Sequence, residues 1–313
     1  MQPGREEVVA RERRWSLPVA LATLGAIGLL VAAEIVPRSV GGDGAAEVLR
    51  SVTENSSAVI ASGILKGLAF LLLVAPLVYL FRAAQARSER VFGALIGLVI
   101  AGPIFLCSAA ILFSVTTNDA ASEFVAGEGT ADLTATEARE RCESDREDDE
   151  EAFREDFGTP VPSALRRCAQ REVADERAED AVAEAPTRSL GIGLEFAGRL
   201  GLAVALLYSC LWAMRTGLLT RFWGSLGMAM GAAALLLLIQ FTFIWFLYFA
   251  LLVAGWVPGG RPPAWAAGEA IPWPTPGQEA AERLGGGEPP EEGGSEGEDQ
   301  DEPPAKRKRK QRM

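Results

Sequence analysis

Four ionisable side chains, Glu34, Lys66, Glu195 and Arg199, lie inside or at the margin of strongly apolar stretches. A charge at the centre of a membrane span costs roughly 3 kcal/mol on insertion scales, so such residues have a partner or a task. Glu195 and Arg199 are four apart with the acid first, which puts them on one helical face in the favourable order for an ion pair. Glu34 and Lys66 can pair across the first two helices. With the N-terminus inside, all four fall toward the outer ends of their helices. Two chemistries follow. The favoured one is snorkelling with structural ion pairing. The other is a small polar pocket, beneath an acidic loop, for an ion or small solute. No deeper acidic residue is present to relay a proton or cation.

The other reactive side chains are few. The chain has no histidine among its 313 residues, which removes Ser–His and Cys–His nucleophile pairs, His bases, HExxH zinc sites and His-ligated haem. Its 4 cysteines, Cys107, Cys142, Cys168 and Cys210, form no CxxC and no metal spacing. Cys142 and Cys168 form a candidate disulfide, which an oxidising exterior permits, although Cys142 lies about twice as far as Cys168 from the turn between their helices. Gly41–Gly44 (GGDG) sits in a polar loop and lacks a partner aspartate in a span, so an aspartyl protease is rejected. Glu150–Arg154 (EEAFR) has neither the histidines nor the membrane-span setting of a membrane prenyl protease. The run Glu143–Glu151 lacks the spacing and the glycine of an EF-hand loop and reads as solvated charge. No catalytic, cofactor or metal residues are assigned.

The elements that position these residues are membrane spans. Leu17–Val36 is a retained signal anchor with arginines before it, placing residues 1–16 in the cytoplasm. The next two spans, about Gly63–Phe81 and Val91–Val115, complete a block at 17–115. Pairs at Gly63/Gly67, Gly93/Gly97 and Gly227/Gly231 have the spacing for close helix contact. Residues 116–189 hold 21 Asp and Glu against 9 Arg, so this extracytoplasmic loop carries −12 in a chain whose net charge is −11. Two Ala/Glu/Arg-rich helices, about Thr134–Phe157 and Ser163–Ala185, are expected to cap the spans. A fourth span, about Phe196–Met214, opens the block at 190–257.

Between Arg221 and Arg261 there is no charge at all. Gly224–Val257 would make one helix of about 50 Å, too long for a core of about 30 Å, so it is read as two short spans turning near Gln240. Six spans place both termini in the cytoplasm; five would export the tail. Residues 258–313 are expected to form a cytoplasmic, disordered tail. Its Lys306, Arg307, Lys308, Arg309 and Lys310 would touch anionic lipid or a cytoplasmic protein. The acidic balance argues against a nucleic-acid partner.

Arg215–Gly227 (RTGLLTRFWGSLG) and Gly255–Pro274 (GWVPGGRPPAWAAGEAIPWP) carry a resemblance to a group of uncharacterised bacterial multipass membrane proteins. These share paired C-terminal spans, a Pro/Trp juxtamembrane motif and a Lys/Arg-terminated tail. The resemblance implies an all-α polytopic bundle in the bacterial inner membrane and no assigned activity. The expected function is non-enzymatic, with a structural, interaction or sensing role. The alternative is a transporter or channel subunit using the outer polar cluster.

Overall fold

The computed structural model describes residues 4–127, 133–158, 160–236 and 239–274. Among the described residues every regular element is helical. Helix α1 (Arg5–Ile35) runs into a 3-10 turn at Val36–Ser39 and is followed by a short helix, α2 (Ala45–Glu54). Next, α3 (Ser56–Leu72) and α4 (Val74–Arg87) form one rod interrupted at Leu73. Pro76 causes the break: it offers no N–H to the Leu72 carbonyl, and its ring crowds that carbonyl. Helix α5 (Ile96–Ala126) is continuous past residue 115 and extends well into what the sequence marks as loop. Three helices then make the cap: α6 (Ala135–Asp148), α7 (Glu150–Phe157) and α8 (Val161–Glu184). Helix α9 (Arg188–Arg215) leads back through the bundle.

Four of these stretches, Arg5–Ser39, Ser56–Arg87, Gly93–Ala126 and Arg188–Arg215, are long and apolar enough to cross a membrane. Two shorter helices follow, α10 (Arg221–Leu235) and α11 (Thr242–Ala254). They are antiparallel. Trp223 at the start of α10 stacks on Tyr248 of α11 at 3.4 Å, and its carbonyl accepts from Trp245 Nε1 at 3.0 Å. The chain therefore turns back around Gln240, without a glycine or proline. At about 22 and 20 Å the two helices are individually shorter than a hydrocarbon core of about 30 Å.

Glycine sets how closely the helices approach. A Cβ on Gly102 of α5 would stand 2.6 Å from the Leu202 nitrogen of α9, and one on Gly201 would meet Gly102 Cα at 2.6 Å. Gly67 packs on Cys107 and Ile111, and Gly231 on Ala203 and Leu206. The third expected pair behaves differently: Gly97 has open space around it, and Gly93 meets only the Gln85 side chain. Spacing alone did not distinguish a packed face from a free one.

The cap has its own small core of Phe153, Ala164 and Leu165 around Cys142 and Cys168. Thr134 and Glu137 form a capping box that starts α6. The segment between the first two expected spans contains α2, whose Ala46, Leu49 and Val52 pack with Ala121 of α5 and Ala178 of α8. Asp175 of α8 accepts from the Ala46 amide at 2.8 Å and so caps α2 from a distance. Gly44 makes room for that carboxylate, which a Cβ would strike.

At the opposite, arginine-rich end, residues 258–273 are packed, although the sequence reads them as the start of a disordered tail. They include a short helix, α12 (Pro263–Ala267). Two tryptophans pin this strap to the α9–α10 turn: Trp265 Nε1 donates to the Leu218 carbonyl at 2.9 Å, and Trp273 Nε1 to that of Leu219 at 2.8 Å. The rest of the expected tail, with its Lys/Arg run, lies outside the described residues.

Candidate functional site

The structure gathers all four charged candidates around one cavity of about 510 Å3 at the capped end of the bundle. Glu34 comes from the last turn of α1, Lys66 from α3, and Glu195 and Arg199 from the first half of α9. Gln240, in the turn between α10 and α11, completes the rim. Lys66 Nζ lies 3.0 Å from Glu34 Oε1, and Arg199 Nη2 pairs with Glu195 Oε1. Both pairings follow from the sequence positions: one joins neighbouring helices, the other spans a single helical turn.

The two pairs differ in their surroundings. The Glu34 side chain is 71% exposed, whereas that of Arg199 is only 14% exposed. Two of the Arg199 nitrogens, Nε and Nη1, are buried and have no hydrogen-bond partner among the described residues. A buried donor left unpaired costs about 1–3 kcal/mol, so the site favours something that supplies an acceptor. None of the nearby hydroxyl oxygens accepts from these nitrogens. Ser62 donates to the Ala33 carbonyl at 2.8 Å, Ser114 to that of Ile111 at 2.8 Å, and Thr117 to that of Phe113 at 2.8 Å. The cavity thus combines two carboxylates and two cations, formally neutral, with an excess of unused N–H donors. Leu30, Phe70 and Leu106 close it on the side of the bundle core.

Above the cavity, Thr116 and Thr187 share a 2.6 Å hydrogen bond that ties α5 to the entry of α9. Farther out, a disulfide joins Cys142 and Cys168. The unequal distances of the two cysteines from the turn are reconciled by the break at Asp149, where the backbone leaves helical geometry (φ −145, ψ 88). This break separates α6 from α7, so the α6 cysteine can face α8. Cys107 and Cys210 remain free thiols. Among the described residues, no group of three or more His, Cys, Asp or Glu is arranged to hold a metal ion.

A second polar centre, at the arginine-rich end, was missed by sequence reasoning. The Arg87 side chain is fully buried and forms a two-pronged pair with Glu12: Nη1 to Oε1 at 2.5 Å and Nη2 to Oε2 at 2.8 Å. Its remaining donors reach the carbonyls of Ala83 and Ala264 at 2.9–3.1 Å. The guanidinium stands 5.6 Å over the Trp265 ring, which stacks on Tyr79; the Tyr79 hydroxyl donates to the Glu12 carbonyl at 3.1 Å. Every donor is satisfied. This is a structural clamp joining α1, α4 and the strap, in contrast to the underfilled site at the other end. In the sequence, Arg87 is one of three arginines, with Arg82 and Arg90, that follow the second expected span. No local pattern linked it to Glu12, 75 residues earlier.

No protein-family model, curated protein or solved structure matches the chain.

Proposed function

We propose that the chain is a non-enzymatic integral membrane protein that binds, and thereby senses, a small zwitterionic solute in the cavity at its capped end. The observation that carries this reading is the pair of buried, unpartnered N–H groups on Arg199. A carboxylate on the solute would accept from them, and a cationic group would lie toward Glu34 or Glu195. Net charge selects the class. The cluster is neutral, and the acidic segment above it repels free anions, so a molecule carrying both signs fits better than a simple acid. The volume falls within the usual range for ligand pockets, about 300–1,000 Å3.

In this reading the arginine-rich end faces the cytoplasm, in keeping with the positive-inside bias. The α10–α11 hairpin counts as spans five and six, and both termini lie inside a bacterial inner membrane. The transporter reading would require a route past Leu30, Phe70 and Leu106.

The test is a thermal-shift panel on the detergent-solubilised chain with α-amino acids, betaines, simple carboxylates and simple amines. A zwitterion should raise the Tm of the wild type and not that of Arg199→Ala. No shift with any class would leave structural ion pairing as the role of the cluster. Uptake of a zwitterion into proteoliposomes would establish transport instead.

A further inference from the structure

A groove of about 770 Å3 runs along the outside of the bundle between α1, α4 and α5, with no lining residue in common with the cavity. Its walls are apolar: Val19, Leu72, Ala75, Val78, Ile100 and Ile104. It begins at the α3–α4 break and follows α4 to Arg82. From Leu71 to Arg82 the chain rises about 16 Å, close to half of a hydrocarbon core of about 30 Å. The groove therefore has the depth of one leaflet.

Its mouth is cationic. Arg11 and Arg82 line it, and among the described residues neither has a carboxylate partner; Arg82 makes one long hydrogen bond, 3.4 Å, to Gln85. The acid at the mouth, Glu12, has both oxygens engaged by Arg87 and leaves the two arginines uncompensated. Trp15, 54% exposed, stands beside them at the level where aromatic rings favour the membrane–water boundary.

We infer that this groove is a binding site for one anionic phospholipid, with an acyl chain along α4 and the headgroup phosphate between Arg11 and Arg82. The Pro76 break shapes the pocket that the chain enters. The two arginines, rather than the groove walls, supply headgroup selectivity. The site is independent of the solute-binding proposal and needs no contact from the Lys/Arg run of the tail.

The full chain in nanodiscs tests this through quenching of Trp15 by brominated acyl chains, taking the difference between wild type and Trp15→Phe. Brominated phosphatidylglycerol should outcompete brominated phosphatidylcholine roughly 10- to 30-fold, with about a 5-fold loss for each of Arg11→Ala and Arg82→Ala. Ala75→Phe, which fills the groove and keeps both arginines, should reduce quenching by either lipid. Equal quenching by the two lipids, unchanged in the Arg11→Ala/Arg82→Ala double variant, would overturn the site. So would headgroup preference that survives Ala75→Phe at full strength, since the arginines would then be acting without the groove.

Discussion

Replacing Arg87 by alanine should be among the most destabilising single changes in the chain. The side chain is fully buried, and its partner Glu12 is only 7% exposed. Removal leaves the Glu12 carboxylate without its two charge-assisted bonds, leaves the Ala264 carbonyl without its donors and removes the cation from the Trp265 face. Breaking a buried pair from one side costs about 3–5 kcal/mol. For a chain of this size each kcal/mol corresponds to about 2–4 °C in Tm, so a fall of roughly 6–20 °C is expected. The assay is thermal unfolding in detergent, followed by tryptophan fluorescence, because Trp265 and Trp273 report directly on the strap. The control is Glu12→Met/Arg87→Met, which removes both charges and keeps apolar bulk. It should recover much of the loss, as replacement of a whole buried pair often does. If Arg87→Ala melted within about 2 °C of wild type, the strap would not be held by this clamp.

Three further outcomes follow from the capped end. Reducing Cys142–Cys168, which closes a separation of 26 residues, should cost the cap about 3.5 kcal/mol by chain entropy and speed proteolysis near Asp149 and Gly158. Asp175→Ala should remove the distant cap of α2 at a cost of about 0.5–2 kcal/mol, read as faster amide exchange at Ala46. The Thr134 backbone and hydroxyl bonds hold the Glu137 carboxyl below its ordinary pKa, so its stabilising effect is present above the unfolded pKa and is lost as pH falls through the folded one. Acidification should therefore fray the start of α6, by circular dichroism, and Thr134→Val should flatten that response.

How much of this was legible depended on how local the signal was. Apolar length gave the four helices that are long and apolar enough to cross a membrane. The i,i+4 spacing of Glu195 and Arg199 gave their pair, and the lack of charge around Gln240 gave the hairpin. Helix α2 was overlooked although Ala46, Leu49 and Val52 repeat at helical spacing; the polar residues between them disguised a segment that is half-buried against the cap. The strap was missed for a different reason. Gly- and Pro-rich sequence reads as coil, and here the glycines at 255, 259, 260 and 268 adopt positive φ to route the chain across the bundle. What fixes it are long-range bonds from Trp265, Trp273 and Arg87, which no spacing reveals. The excess of donors at Arg199 was likewise invisible, because it depends on where acceptor atoms lie around the guanidinium in three dimensions.

The most direct test of the account is an equilibrium binding isotherm, in nanodiscs, for whichever zwitterion stabilises the wild type most. The predicted result is one molecule per chain, weakened by Lys66→Ala and Glu195→Gln and abolished by Arg199→Ala. Undiminished binding to Arg199→Ala would contradict it.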